Sequence, residues 1–313
     1  MDIDELLRFG VVVVDKPQGF RSQDVTIFVR DALGCRKAGH AGTLDKDVSG
    51  VLPVGLEKSS KMLGYLGKKD KEYIGIMRFN KPLKKEEIER AFRLFSGSIT
   101  QVPPPESAVR RVRRKRKVYY LAPLEFKGNE VLFAVGCEAG TYIRTLCSDI
   151  GKGRGGARLM ELRRVRVGKI GENECVPLEE IVRARLSRER EGDDGMLRKV
   201  VLPIEHFVDM EKISIKDSAV QSICSGAALN APGVLCASKK INKGEPVALM
   251  DEGGRLIAIA KSDVDGTDIC GMRKGTVART VSVFRMPGSH NLVVRMPGKK
   301  TREHMVERPY GFK

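Results

Sequence analysis

The sequence predicts an α+β chain in two folded units, one over about residues 1–208 and a small β-barrel over about 209–285, followed by a basic tail at 286–313. Three observations carry this. At 313 residues and 41% hydrophobic content, the chain is long enough for two cores and too apolar for a disordered polymer. Through about residue 208, β-branched and alternating runs are interleaved with amphipathic helical stretches. From Glu211 the segments shorten and are cut by turns at Pro232-Gly233, 243–246 and 251–254, the pattern of a small barrel.

Taken in order, Val11–Val14 is a buried strand ending in the turn residues Asp15-Lys16-Pro17-Gln18-Gly19. Gln23–Leu33 is a helix with Val25, Phe28, Val29 and Ala32 on one face; Ser22 is its expected N-cap and Gly34 its C′ residue. Lys58–Leu66 reads as a short helix, Lys71–Phe79 as a strand, and Lys84–Phe95 as an amphipathic helix carrying Ile88, Ala91, Phe92 and Phe95. Pro103–Pro105 enforces an extended segment. Glu130–Cys137 alternates as a strand should, and Ile143–Ile150 is helical, ended by the glycines of 151–156. A further helix begins at Val176–Leu178 and runs to about Leu186; the polar stretch Ser187–Gly195 reads as a surface excursion. In the barrel, Val234–Ala237, Pro246–Met250, Leu256–Ala260 and Thr276–Phe284 are the strand-like pieces.

The charge points to a polyanion. Lysine and arginine number 57 against 40 acidic residues, a net +17, and seven of the eight residues in Arg110–Lys117 are basic. That run, which includes Arg110 and Arg113, stands beside Tyr119-Tyr120, and aromatics next to a basic cluster suit RNA. In the barrel, Lys239, Lys240 and Lys243 are the candidate RNA contacts. The tail from Arg285 to Lys313 holds seven basic and two acidic residues and repeats RMPG at 285–288 and 295–298, a repeat for which the sequence suggests no physical role. Seven cysteines without a CxxC pair signal neither a disulfide framework nor zinc, which favours a reducing compartment. MDIDELLRFG lacks the features of a signal peptide, and no apolar stretch approaches the ~18 residues of a membrane helix.

The densest chemistry lies in GHAGTLDKDVSG, residues 39–50. A carboxylate on a tight turn before a buried run is held rigidly, and catalysis needs rigid placement. Three rival motifs fail on inspection. Asp45-x-Asp47-x-Ser49-Gly50 opens like a calcium loop, but Leu56 stands where the closing glutamate belongs. Gly151-x-Gly153-x-x-Gly156 follows a helix, whereas a dinucleotide fingerprint follows a strand. Gly50–Gly55 has P-loop spacing with Leu56 in place of lysine. No cofactor is expected. His40 has no Cys or His at ligand spacing, so no metal is expected either; it can be a base, a contact to an extruded base, or a plain turn residue. Asp45 itself can be catalytic or can simply accept bonds from its own turn.

GHAGTLDKDVSGVLPV at 39–54 resembles the catalytic motif of TruB-type pseudouridine synthases, whose essential residue is the aspartate of the G-T-L-D turn, Asp45 here. Asp15-Lys16-Pro17 with Gly19 resembles that family's K-P motif, KEYIGIMRF the strand bearing its active-site tyrosine, Tyr73, and AGTYIRTL the segment bearing its arginine, Arg144. ELRRVRVG at 161–168 resembles the last motif, whose leucine, Leu162, packs on the target base. QVPPPESAVRRVRRKRKVYY and the stretch at 203–233 are similar to the archaeal and eukaryotic guide-RNA branch, the dyskerin family. The resemblance spans about residues 7–285 and implies a mixed-sheet catalytic domain followed by a PUA-like barrel. The short segment before Val11 and the lack of a long lysine-rich tail point to an archaeal-type member.

The resemblance further implies an RNA isomerase acting on uridine in rRNA, with tRNA as a second candidate. Its implied partners are an H/ACA guide RNA, two small accessory proteins, and a kink-turn-binding protein joined through the guide. No membrane is implied. The location is cytoplasmic for an archaeal-type protein and nucleolar for a eukaryotic one. Asp45 would act as nucleophile at C1′ or base at C2′. Arg144 would pair with it, and Tyr73 would stack on the extruded uracil and relay a proton. His40, Thr43, Leu162 and Lys16 would hold the substrate. The alternatives are a guide-independent synthase of the tRNA T-loop and a non-catalytic RNA scaffold.

Overall fold

The computed structural model describes residues 2–104 and 109–285. The first unit contains α1 (Ile3–Phe9), β1 (Gly10–Lys16), α2 (Ser22–Ala32), β2 (Ala38–His40), β3 (Val48–Leu56), α3 (Leu63–Leu66), β4 (Lys71–Phe79), α4 (Lys85–Leu94) and β5 (Gly97–Gln101). It continues with β6 (Arg114–Lys127), β7 (Glu130–Cys137), α5 (Ile143–Gly151), β8 (Ala157–Val167), β9 (Ile170–Gly171), α6 (Leu178–Glu191), α7 (Gly195–Val200) and β10 (Leu202–Pro203). Its sheet runs β10-β1-β3-β8-β4-β7-β6-β5, with β2 on β3 and β9 on β8. The β3–β8 ladder is parallel and its neighbours β1–β3 and β8–β4 are antiparallel, so the sheet is mixed.

That parallel ladder matters most for the site. It sets Val48 against Leu162 and Gly50 against Arg164, while β4 sets Tyr73 against Arg164 and Gly75 against Leu162. Gly50 has φ +100°, and a Cβ there would lie 2.2 Å from the Arg164 carbonyl oxygen, so only glycine lets β3 approach β8.

The second unit has β11 (Lys212–Ile215), α8 (Asp217–Cys224), β12 (Leu229–Asn230), β13 (Val234–Ala237), β14 (Pro246–Met250), β15 (Leu256–Ser262), α9 (Gly266–Ile269) and β16 (Thr276–Val283). Its sheet runs β12-β16-β15-β14-β11-β13. The two ends of that path, β12 and β13, are joined by the single 3₁₀ turn Ala231–Gly233, which curls the sheet into a barrel. The units are not separate beads. Phe9, Val11 and Ile204 pack in one buried cluster with Met250, Leu256 and Phe284.

Several sequence expectations need correction. Ser22 is the first residue of α2 rather than its cap, because its hydroxyl is spent on Leu44. Gly34 does take the left-handed conformation, φ +66°, just past the helix. The helix expected to stop near Leu186 continues to Glu191, where Gly192 (φ +70°) closes it, and α7 begins at Gly195, the last residue of the supposed excursion. Arg185 and Glu189, four residues apart and 2.8 Å from each other, favour that last turn. Lys58–Leu66 splits into a 3₁₀ turn over Glu57–Lys61 and the short α3. Ser49, part of the calcium-loop look-alike, lies in β3. Arg285, counted with the tail, is 3% exposed and built into the joint between the units. Pro105 and the tail at 286–313, with its second RMPG copy, lie outside the described residues.

Candidate active site

Asp45 sits on the Gly39–Gly50 loop between β2 and β3. Its neighbours Leu44 and Val48 are buried in the same cluster as Ile143, Leu162 and the packed ring of Tyr73. Leu44 and Ile143 each point into that core, so the residues following them, Asp45 and Arg144, are turned outward. The outcome is an ion pair: Arg144 Nη2 donates to Asp45 Oδ2 at 2.9 Å. The two side chains are 50% and 63% exposed, so the pair stands at the mouth of the site, open to a substrate.

The loop beneath this pair is fixed from four sides. Ser22 Oγ accepts from Leu44 N at 2.8 Å and donates to Leu44 O at 2.9 Å. Lys16, with no exposed surface, donates from Nζ to the carbonyls of Pro17, Lys46 and Val48 at 3.0, 3.2 and 2.6 Å. Gly19 N donates to Lys46 O at 2.9 Å. Arg164, 1% exposed, donates from Nη2 to Gly42 O at 2.9 Å and from Nε to Val51 O at 2.8 Å. The carbonyls so satisfied lie on both sides of Asp45, while its own carboxylate is left to Arg144.

Lys16 is therefore corrected from a substrate contact to a strut, since all three of its donors are committed below the surface. Burial holds its pKa down against the raising fields of Asp47 and Asp45. Leu162 is 7% exposed, at the floor of the site. His40 is half-buried between two hydroxyls, Thr26 Oγ1 at 2.9 Å from Nδ1 and Thr43 Oγ1 at 3.3 Å from Nε2. Thr26 gives its own proton to Ser22 O at 2.8 Å, which assigns the Nδ1–H of His40 to Thr26 and leaves Nε2 to accept from Thr43. Burial, then the Arg164 field, lowers the His40 pKa and keeps the ring neutral.

Tyr73 on β4 turns its hydroxyl toward the Arg164 guanidinium, and burial raises the Tyr73 pKa and keeps it protonated. Arg164 is the residue that sequence reasoning missed. It links the loop, through Gly42 and Val51, to the tyrosine, and so connects the two functional side chains that Arg144 does not join. The signal was present: in a strand, Leu162 and Arg164 share a face, and Leu162 was already expected to point inward.

The remaining candidates lie elsewhere. Arg110 and Arg113 are exposed just before β6, whose Tyr119 and Tyr120 are also exposed. Lys239, Lys240 and Lys243 are exposed on the β13–β14 loop of the barrel. Among the described residues no group of three or more His, Cys, Asp or Glu is placed to hold a metal ion.

Residues 30–82 match the N-terminal domain of TruB family pseudouridylate synthases, 144–209 the tRNA pseudouridylate synthase B C-terminal domain, and 211–284 the PUA domain. The chain is 43% identical over 278 residues to a "Probable tRNA pseudouridine synthase B" of Archaeoglobus fulgidus, covering 88% of this chain and 86% of that one. It is 41% identical over 290 residues to the like-named protein of Methanopyrus kandleri, covering 92% and 86%. Among solved structures, it is similar to a chain of a Cbf5-Nop10-Gar1 complex at 38% identity and TM-score 0.85, covering 92% and 88%. It is equally close, at 36% identity and TM-score 0.85 over 92% and 89%, to one of an H/ACA RNP bound to a substrate RNA containing 2′-deoxyuridine. With Asp45 and Arg144 paired on a mixed sheet and a PUA barrel fused behind it, the chain belongs to the TruB family of pseudouridine synthases, in the branch represented by these archaeal relatives.

Proposed function

We propose that this chain is the catalytic subunit of an H/ACA guide ribonucleoprotein and isomerises uridine to pseudouridine in RNA, with Asp45 as the reacting group. The observation that carries the reading is the Asp45–Arg144 pair, 2.9 Å long and open to solvent on a loop whose carbonyls are tied down on both sides. The reaction breaks the uridine C1′–N1 bond, turns the base and joins C5 to C1′, so the isomer has the same atoms as the substrate and no electrons enter or leave. An ionised carboxylate beside the ribose serves as nucleophile at C1′ or base at C2′. Tyr73, held protonated by burial, is suited to stacking on the extruded uracil and handing on a proton.

The partners follow from the likeness to the Cbf5 chains, which are solved together with Nop10 and Gar1. For this chain we infer two small accessory proteins of that kind, a guide RNA gripped by the barrel, and rRNA as substrate. A second reading, a tRNA synthase that needs no guide, is favoured by the relatives' name, "Probable tRNA pseudouridine synthase B".

Reconstitution with and without an H/ACA guide separates the two. Pseudouridine at a guide-specified site only when the guide is present supports the first; full activity on bare tRNA replaces it with the second. Asp45→Asn should abolish tritium release from 5-tritiated uridine and leave RNA affinity unchanged. Retained turnover would remove Asp45 from the chemistry, and absence of turnover in the wild-type complex would favour a scaffold.

A further inference from the structure

Phe20 is exposed where exposure is unfavourable and needs a partner. Its relative exposure is 46%, and it is the one phenylalanine among the described residues that is exposed. It is not on a loose loop. On one side of it Gly19 N donates to Lys46 O at 2.9 Å, with Gly19 at φ +88°. On the other, Ser22 grips Leu44 through both backbone groups. Arg21, next to it, donates from Nε and Nη2 to Asp24 at 3.0 and 2.9 Å, and Arg21 N is bonded to the same carboxylate. Phe20 and Arg21 are thus the residues held between two ties to Leu44 and Lys46, opposite Asp45. Backbones joined by direct hydrogen bonds run ~5 Å apart, so the Phe20 main chain stands within about one nucleotide of the residue that carries the reacting carboxylate.

The chemistry around it selects the partner. Arg21, next to Phe20, and Lys46, whose carbonyl accepts from Gly19 N, are exposed, as is Arg144 across the site, so the rim draws a polyanion. The ring itself has no polar atom, so it recognises a π-face or an apolar surface. An aromatic held rigid inside a basic rim is the arrangement that stacks an unpaired base. The exposed tyrosines differ: Tyr119 commits its hydroxyl to Asp70 and its ring to Lys117 at 5.6 Å.

We propose that Phe20 is a substrate-binding residue that stacks on the nucleotide next to the target uridine and holds the strand in register while the target base is extruded into the Asp45 site. This rests on the RNA-isomerase reading of that site and names one contact within it.

The test uses the full chain assembled with its accessory proteins and guide, as wild type, Phe20→Ala and Phe20→Trp. Each is measured on a substrate RNA and on two versions made abasic immediately 5′ or 3′ of the target. Affinity and the single-turnover rate at saturating complex are read separately. Phe20→Ala should weaken binding roughly 5- to 150-fold, the range for losing one base stack. Phe20→Trp should bind at least as well as wild type. One abasic position should weaken wild type by a similar factor and leave Phe20→Ala unaffected, because the lost ring and the lost base are the same contact. Unchanged affinity in Phe20→Ala overturns the proposal. So does a loss that persists undiminished on both abasic RNAs, which would assign the ring to a protein partner or to loop folding. If the wild-type complex binds the RNA but makes no pseudouridine, the functional reading fails while the affinity comparison still decides the stacking contact.

Discussion

Arg164 and Arg285 are both buried guanidiniums, and they sit in opposite electrostatic settings. Arg285 lies at the joint between the two units, where it pairs with Glu5, donates to Glu205 Oε1 at 3.0 Å and stacks over Phe9 at 4.7 Å. Its charge is matched by carboxylates, and Glu205 in turn accepts from Leu256 N at 2.9 Å, so the cation of the joint is fully paired. Arg164 is bound to carbonyls and faces the Tyr73 phenol, none of which carries charge. Two more cations are buried with it. Lys16 holds carbonyls at 46 and 48, and Lys71 gives Nζ to Gly67 O at 2.6 Å and Lys69 O at 2.5 Å. Burial first, then the Arg164 field, pulls the Lys71 pKa down to about 8. One chemical group thus serves two ends. Matched by carboxylates it locks domains; matched by dipoles it fixes a loop and leaves positive potential under a site that meets RNA.

The contrast is broken most forcefully at Arg164. Arg164→Met leaves Gly42 O and Val51 O without a donor, each costing ~1–3 kcal/mol, partly offset by no longer burying a cation. The larger effect should be on rate. A displacement of about 1 Å at Asp45 costs roughly 10²-fold, so kcat should fall by that order at temperatures where the variant is still folded, with RNA affinity little changed. Arg164→Lys keeps the charge but cannot span both carbonyls with a planar fork, and should recover stability more than rate. Equal losses of affinity and rate would mean that the cation acts by attracting RNA rather than by placing the loop. At the joint, Arg285→Met strands Glu5 and Glu205 and should cost ~3–5 kcal/mol. Calorimetry should then show two unfolding steps in place of one, with the catalytic rate on saturating RNA unaltered. A single step with a lowered rate would make the joint part of the catalytic device.

How far the sequence disclosed this arrangement depends on what each residue answers to. Asp45 stood out as a carboxylate on a tight turn, but its role and that of Arg144 were legible only through the resemblance of GHAGTLDKDVSGVLPV and AGTYIRTL to family motifs. Most strands were legible from alternation: β4 and β7 have the bounds that it predicts. Lys16 was placed in the right motif and given the wrong task, because a lysine at the end of a valine strand looks like a charge on its way to solvent. What buries it is the pair of carbonyls supplied thirty and thirty-two residues later. Ser22 carried a plausible local role as a cap, and a distant backbone, Leu44, took its hydroxyl instead. Arg164 stood among four arginines in β8; alternation onward from Leu162 narrows the inward face to Arg164 and Arg166, and the pairing to β3 and β4 shows which of the two is buried. The last turns of α6 were lost because apolar periodicity ends before the helix does, and charge pairs carry it on to Gly192.

The smallest effect concerns His40 and sharpens the contrast through pH. The site's buried bases are held toward their neutral forms, by burial and then by Arg164. For His40 the folded pKa lies below the unfolded value of 6.5. The unfolded chain therefore binds a proton first as the solution is acidified. His40's contribution to stability is complete above pH 6.5 and is lost as pH falls from there through the folded pKa. Lys71 obeys the same sign in another window, gaining stability as pH rises from about 8 toward 10.5. Urea unfolding at pH 7.5 and 5.5 should show wild type losing more stability than His40→Asn, by up to about 1.4 kcal/mol for each tenfold drop in the ring's proton affinity. The asparagine preserves a donor and an acceptor for Thr26 and Thr43 and cannot titrate. If both proteins lose the same amount, protonation elsewhere governs the acid limb, and the cationic floor does not reach as far as His40.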